Sequence, residues 1–194
     1  DSEMDADSKE DLLLGVIQEI DDELATRTKS HPEYSGMGTT LTSLFLNGSD
    51  AELLHVGDSR CYFIKKDKVE QLSHDHTVMQ ELLDQGRLTP EEVADHPQRS
   101  LLTQVLMGEA SIHPMLLVKE VKAGDRFLLC SDGLSSVLSE LEINKIIKAG
   151  GDLISNLLVA VRDAGAPDNV TIILSEVVDI NSATELSRFG AASV

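Results

Sequence analysis

Thr39-Thr40-Leu41-Thr42-Ser43-Leu44-Phe45-Leu46-Asn47-Gly48-Ser49-Asp50-Ala51-Glu52-Leu53-Leu54-His55-Val56-Gly57-Asp58-Ser59-Arg60-Cys61-Tyr62-Phe63-Ile64-Lys65 reads as three strands and two turns. Residues 39–46 are rich in Thr, Leu and Phe, which suit a pleated, half-buried surface. Asn47-Gly48-Ser49-Asp50 is a strong hairpin turn. Residues 52–56 and 61–65 are two further apolar runs, joined by the tight Gly57-Asp58-Ser59 turn. Working outward, residues 115–121 and 126–130 repeat the strand pattern around Ala123-Gly124-Asp125, and 170–178 is a β-branched strand. Leu13, Val16, Ile17, Ile20 and Leu24 recur at helical spacing with acids between them, predicting a helix over 9–28. Residues 139–149 and 152–164 read as a second helical pair. Strands linked by hairpins, mixed with helix pairs, predict a largely antiparallel sheet system with helices packed outside it. A parallel doubly wound fold would need regular strand–helix alternation, which is missing.

The segment 72–100 has a different texture. Val78, Met79, Leu82 and Leu83 mark a short amphipathic helix ending at Gly86. Thr89-Pro90-Glu91-Glu92 is a capping box with Pro at the first helical position. Two short helices between strands make an excursion from the sheet, read here as a flap.

Length and charge bound the rest. The chain has 194 residues, which suits one domain with a substantial core. It has 16 Lys+Arg against 34 Asp+Glu and a formal net charge of −18. That field repels nucleic acid and anionic membrane and favours cations. Residues 1–8 are an acidic loose end and 179–194 a polar tail or linker. No window approaches the roughly 18 apolar residues of a membrane helix, and no signal peptide is visible. The first residue is not Met, and the chain reads as a piece of a longer protein. Cys61 and Cys130 do not make a disulfide framework and read as two buried thiols in a reducing cytosol. A cysteine-phosphatase loop would need Arg six positions after Cys130, where Ser136 stands.

Three acids sit where apolar runs end, in Val56-Gly57-Asp58-Ser59-Arg60, Cys130-Ser131-Asp132-Gly133 and Pro167-Asp168-Asn169-Val170. Strand ends present side chains at a rim, and carboxylates without a nearby Lys or Arg run suit hard divalent cations. Like charges about 4 Å apart repel by about 4 kcal/mol at an effective dielectric of 20, so converging carboxylates need a cation or protons. Taken singly, each Asp is as well explained as a turn former or helix cap.

With Met37-Gly38-Thr39-Thr40 and Leu72-Ser73-His74-Asp75-His76-Thr77 added, five motifs stand in an order that resembles the metal-dependent Ser/Thr protein phosphatases of the type 2C class (PPM). The likeness is to bacterial members, especially the actinobacterial one that opposes membrane-bound Ser/Thr kinases, and it runs over 36–178. It implies an α+β, four-layer αββα sandwich of two antiparallel sheets flanked by helix pairs, with the first strands missing. Residues 9–178 would be the catalytic domain, incomplete at its N-terminus, with the flap at about 72–100. It implies hydrolysis of phosphoserine and phosphothreonine in proteins by a metal-activated water. The cofactors would be two core Mn²⁺ or Mg²⁺ ions and a third, weaker one. By motif match, Asp132 and Asp168 would serve the core, and Asp58 and Asp132 the third ion. Partners would be phosphoproteins, Ser/Thr kinases and their substrates, with no nucleic acid and no membrane contact by this segment. The resemblance also implies a cytoplasmic monomer, any membrane anchor of the intact protein lying beyond Val194.

One departure matters. The family opens with an Arg that grips phosphate, an acidic pair, and a strand ending in Asp-Gly followed by Gly-Gly-His, whose Asp bridges both core metals. None of this occurs in the chain. The phosphate-binding Arg and bridging Asp are therefore expected upstream of Asp1, and the chain alone is expected to be weak or inactive. Arg87 and Arg99 bracket the flap's second helix and either steer phosphoproteins or serve as surface charge. His74 and His76 read as surface or flap-hinge residues, since imidazole prefers Zn²⁺ or Cu²⁺ and no third His or Cys lies nearby in sequence. Asp75 stays unassigned. Two other functions compete: a catalytically inert phosphatase-like binding module, and a Ser hydrolase using Ser59. The latter is disfavoured because Cys61 replaces the last Gly of the nucleophile elbow and a strand follows Ser59 where a helix is needed.

Overall fold

The computed structural model describes residues 6–66, 68–94, 96, 101–108 and 112–179. In chain order its elements are helix α1 (Ala6–Ser30), strands β1 (Leu41–Asn47), β2 (Asp50–Val56), β3 (Arg60–Lys65) and β4 (Lys68–Gln71), helices α2 (Val78–Asp84) and α3 (Pro90–Ala94), strands β5 (Met115–Glu120) and β6 (Arg126–Cys130), helices α4 (Asp132–Ser135), α5 (Glu140–Ala149) and α6 (Leu153–Asp163), and strand β7 (Ile172–Glu176). Among the described residues the strands form two antiparallel sheets, ordered β1-β2-β5 and β4-β3-β6-β7.

Alternation along each strand assigns its two faces. On β2, Ala51 and Leu53 join Cys61, Phe63 and Phe127 in a core between the sheets, while Leu54 and Val56 turn outward to Ile17 of α1 and to Leu106. On β3, Cys61 and Phe63 face that inter-sheet core, while Tyr62 and Ile64 face Leu134, Ile143 and Leu157 beneath α5 and α6. Three apolar cores thus separate four layers: α1, three strands, four strands, and the α5–α6 pair. Burying each large side chain contributes about 1.5–3 kcal/mol relative to leaving it in water. The architecture is the α+β sandwich that the sequence predicts.

Several details differ from expectation. The turns at Gly57-Asp58-Ser59 and Ala123-Gly124-Asp125 do not join neighbours in one sheet; each carries the chain from one sheet to the other. Gly57 makes its crossing possible, with φ +109° and with Thr40 packed where a Cβ would stand. Strand β4 is not evident in the sequence, because Lys68-Val69-Glu70-Gln71 is a mostly exposed edge strand with one apolar residue. Helix α1 begins at Ala6, inside the expected loose end, and ends at Ser30. Its buried face carries Ile17 and Asp21, whereas Val16 and Ile20 are exposed. Residues 1–5 and 180–194 lie outside the described residues. Cys61 and Cys130 project from opposite faces of one sheet into different cores, and burial pushes both thiols up to about 12, as inert structural cysteines require. Among the described residues, no helix is long and apolar enough to cross a membrane.

Candidate metal centre

The Asp58 turn is held from two sides. Ser59 Oγ lies 2.9 Å from Thr40 Oγ1, and the Thr42 hydroxyl donates to the Ser59 carbonyl at 3.0 Å. On the other side stands the segment leading into α2. The His76 amide donates to the Gly57 carbonyl at 2.8 Å, and the Gly57 amide donates to His76 Nδ1 at 3.1 Å. The Cys61 amide donates to Ser73 Oγ at 2.9 Å. Arg60 closes the frame. Its Nε lies 3.0 Å from each oxygen of Asp75, and its Nη2 donates to Asp75 Oδ2 at 2.7 Å. Asp75 also accepts from Gln71 Nε2 at 3.1 Å, and Arg60 Nη1 donates to the Tyr62 hydroxyl at 3.2 Å. The Asp58 turn and the segment leading into α2 are one hydrogen-bonded unit.

Asp132 opens α4 directly after β6. Register places it close to Asp58: Arg60 pairs with Cys130 across the sheet, with Asp58 two residues before one and Asp132 two residues after the other. The Asp168 turn packs on the same corner. The Ser131 amide donates to the Thr171 carbonyl at 3.1 Å, and the Thr171 amide donates to Ser131 Oγ at 3.0 Å. Gly133 has the Asn169 carbonyl where a Cβ would stand, so only glycine fits there. The Asp168 carboxylate accepts from the Asn169 amide at 2.7 Å and faces solvent.

Asp58 and Asp132 line one cavity of about 400 Å³. Arg60 and Asp75 line it too, with the apolar side chains of Met79 and Leu83 of α2 and Val93 of α3, and with Leu138, Ser139 and Glu142. Asp58 is pushed up to about 6, first by burial and then by the charges of Asp132 and Asp75. A carboxylate destabilised in this way gains most from a cation. Oxygen donors at a water-accessible cavity fit a hard divalent ion.

The structure therefore brings Asp58 and Asp132 together and leaves Asp168 on the adjoining turn, outside the cavity lining. Among the described residues, no group of three or more His, Cys, Asp or Glu side chains is placed to hold one ion. His74 pairs with Asp84 at 2.7 Å on the surface, and His76 accepts from the Gly57 amide, and neither lines the cavity. Arg87 is exposed, donates to Gln85 at 3.4 Å and does not line the cavity. Arg99 lies outside the described residues. Ser59 is bonded to Thr40 and followed by β3, not by the helix of a nucleophile elbow. Arg60 and Asp75 were not assigned from the sequence. The available signal was parity, because Arg60 shares a strand face with Tyr62.

The family model described as protein phosphatase 2C matches residues 1–82. The crystal structure of the Ser/Thr phosphatase Stp1 from Staphylococcus aureus is 31% identical with a TM-score of 0.82, over 92% of this chain and 72% of that one. This chain belongs to the protein phosphatase 2C family. It is 42% identical over 162 residues to the Ser/Thr protein phosphatase PstP of Mycobacterium tuberculosis, covering 80% of this chain and 30% of that protein. It therefore spans less than a third of the length of that relative. A structure of the catalytic domain of PstP in complex with two manganese ions has a TM-score of 0.73 and 36% identity, over 82% of this chain and 67% of that one.

Proposed function

We propose that this chain forms most of the catalytic domain of a metal-dependent phosphatase acting on phosphoserine and phosphothreonine in proteins, opposing Ser/Thr kinases. The observation that carries this reading is the meeting of Asp58 and Asp132, from distant segments, in one cavity beneath two flap helices. Bound Mn²⁺ or Mg²⁺ would supply Lewis acidity and an activated water. Asp132 and Asp168 would hold the core ions, which the packing of the Asp168 turn against Gly133 supports. Asp58 and Asp132 would hold a third. The apolar wall from α2 and α3 would exclude water around a bound phosphoresidue. Residues 72–100 are the proposed flap and 9–178 the proposed domain, monomeric and cytoplasmic. The phosphate-gripping Arg and bridging Asp of the family lack counterparts here, so slow turnover is expected from the 194 residues alone.

The test couples binding to turnover. Calorimetric titration of Mn²⁺ into the metal-free chain should show binding that Asp132→Asn reduces; equal binding would remove the assignment. Phosphothreonine-peptide hydrolysis should be slow and lost in chelator. Turnover near that of a full-length relative would overturn the expectation of weak activity, and chelator-resistant turnover would overturn the metal mechanism.

A second reading, an inert phosphatase-like binding module, is favoured by one observation: the absence of a three-carboxylate cluster among the described residues. It predicts phosphopeptide binding with no hydrolysis at any Mn²⁺ concentration.

A further inference from the structure

Among the described residues that line the cavity, Arg60 is the single cation, against Asp58, Asp75, Asp132 and Glu142. Its position matters more than its number. Arg60 lies two residues after Asp58 and directly across the sheet from Cys130, two residues before Asp132. It is rooted between the two carboxylates that the proposed function assigns to metal. A free guanidinium there would act as a built-in counter-ion for both, and a divalent ion would have to displace it. The structure shows it engaged elsewhere. Three of its contacts go to Asp75, at 3.0, 3.0 and 2.7 Å, and a fourth goes to the Tyr62 hydroxyl. Asp75 is 8% exposed and is itself oriented by Gln71. Charge-assisted, bidentate pairing of this kind is roughly twice as strong as a neutral hydrogen bond and fixes direction as well.

We infer that Asp75 withholds Arg60 from Asp58 and Asp132, and so keeps those two carboxylates open to divalent cations. Asp75 is a positioning residue: its contacts are with Arg60 and Gln71, and it acts through Arg60. This inference rests on the metal reading of Asp58 and Asp132. It also explains why the root of the flap, and not the sheet, supplies the partner. The neutralising charge comes from the element that leads into α2, so the flap must be seated for Arg60 to be held away.

The experiment is a charge-swap series in the 194-residue chain, read by calorimetric titration of Mn²⁺ alone, with thermal unfolding in chelator run alongside. Asp75→Asn frees Arg60 and should weaken Mn²⁺ binding by about tenfold or more, the scale expected for a unit charge moved next to two carboxylates. The double variant Arg60→Gln with Asp75→Asn removes the competitor and should bind within about threefold of wild type, a non-additivity that only coupled residues give. Arg60→Gln alone should bind at least as tightly as wild type. A role confined to folding predicts the opposite order, with the double variant no better than Asp75→Asn and Arg60→Gln impaired. Either of those results overturns the inference, as does an Asp75→Asn chain that binds like wild type. Asp132→Asn separates the two levels. If it binds Mn²⁺ like wild type, the metal reading falls and this inference with it; if it loses binding while the double variant stays weak, only this inference falls.

Discussion

His55 is fully buried between the sheets, with Nδ1 2.9 Å from the Thr42 hydroxyl and Nε2 donating to the His74 carbonyl at 3.1 Å. Burial, then the neighbouring His76, lowers it to about 4. Its folded value lies below the unfolded one, so the unfolded chain binds the extra proton. Its stabilisation is present above pH 6.5 and is lost as pH falls toward 4. Asp58 works in the opposite sense. Its folded value is raised to about 6, so the folded chain binds the extra proton, and its ionisation costs stability as pH rises through that value. Asp58 is partly exposed, so solvent screening reduces its share. In the metal-free chain the two terms oppose one another over the same window, and wild type should show a shallow pH profile. Asp58→Asn should uncover His55, with stability rising by about 2 kcal/mol from pH 4.5 to 6.5. Urea unfolding in chelator at several pH values measures this, and a flat profile in Asp58→Asn would contradict it. At this scale the sequence was partly legible. The rim position of Asp58 and Asp132 was legible because strand ends and turn residues mark it. Arg60 with Asp75 was not, because their pairing depends on how the flap root folds back across fifteen positions. Asp168 was read as a partner of Asp132, and its turn does pack there, but no pattern in the sequence tells which way its exposed side chain points.

Helix α1 shows the same division at the level of elements. Its length and apolar spacing are legible in the sequence, whereas the burial of one of the acids between them is not. Asp21 is 3% exposed, and its Oδ1 accepts from the amides of Met107 and Gly108 at 2.9 and 2.8 Å. Those two donors lie 86 and 87 positions away, beyond the reach of any local pattern. The contact fixes α1 to the segment that leads toward β5, where the Gly108 backbone comes so close to Ala25 that a side chain would clash. Asp21→Ala would leave two part-buried N–H groups without their acceptor and should cost about 1–3 kcal/mol, below the sum of two fully buried groups at roughly 1–3 each. A urea-unfolding difference below about 0.5 kcal/mol, the range of ordinary surface substitutions, would show that water replaces the carboxylate. Helix α5 was better marked. Ser139 and Glu142 form a reciprocal capping box, a signature carried within four consecutive residues. Elements fixed by near neighbours were legible, while the two turns that cross between sheets were not, because the identity of a strand's partner is a tertiary choice.

For the molecule as a whole, charge sets the terms. Thirty-four acidic against sixteen basic residues give a net charge of −18, which opposes compaction through self-repulsion. Two remedies exist and they are separable. Monovalent salt screens all surface charges over a Debye length of about 10 Å at 0.1 M and should stabilise the chain without selecting any site. A divalent ion at Asp58 and Asp132 acts at one place, where carboxylates from β2–β3 and β6–α4 must otherwise repel while staying folded. Ligand linkage makes that contribution about 2.7 kcal/mol when free Mn²⁺ is one hundred times its Kd. Thermal unfolding in Mn²⁺ should therefore exceed unfolding in NaCl of equal ionic strength by several degrees, given roughly 2–4 °C per kcal/mol for a chain of this size. Asp132→Asn should erase the excess while keeping the full response to NaCl, because it removes one charge of the many that salt screens and half of the pair that Mn²⁺ joins. Equal responses to the two salts in wild type would mean that acidity here is only a surface property, and that the cavity lined by Asp58 and Asp132 does not distinguish a divalent ion from its atmosphere.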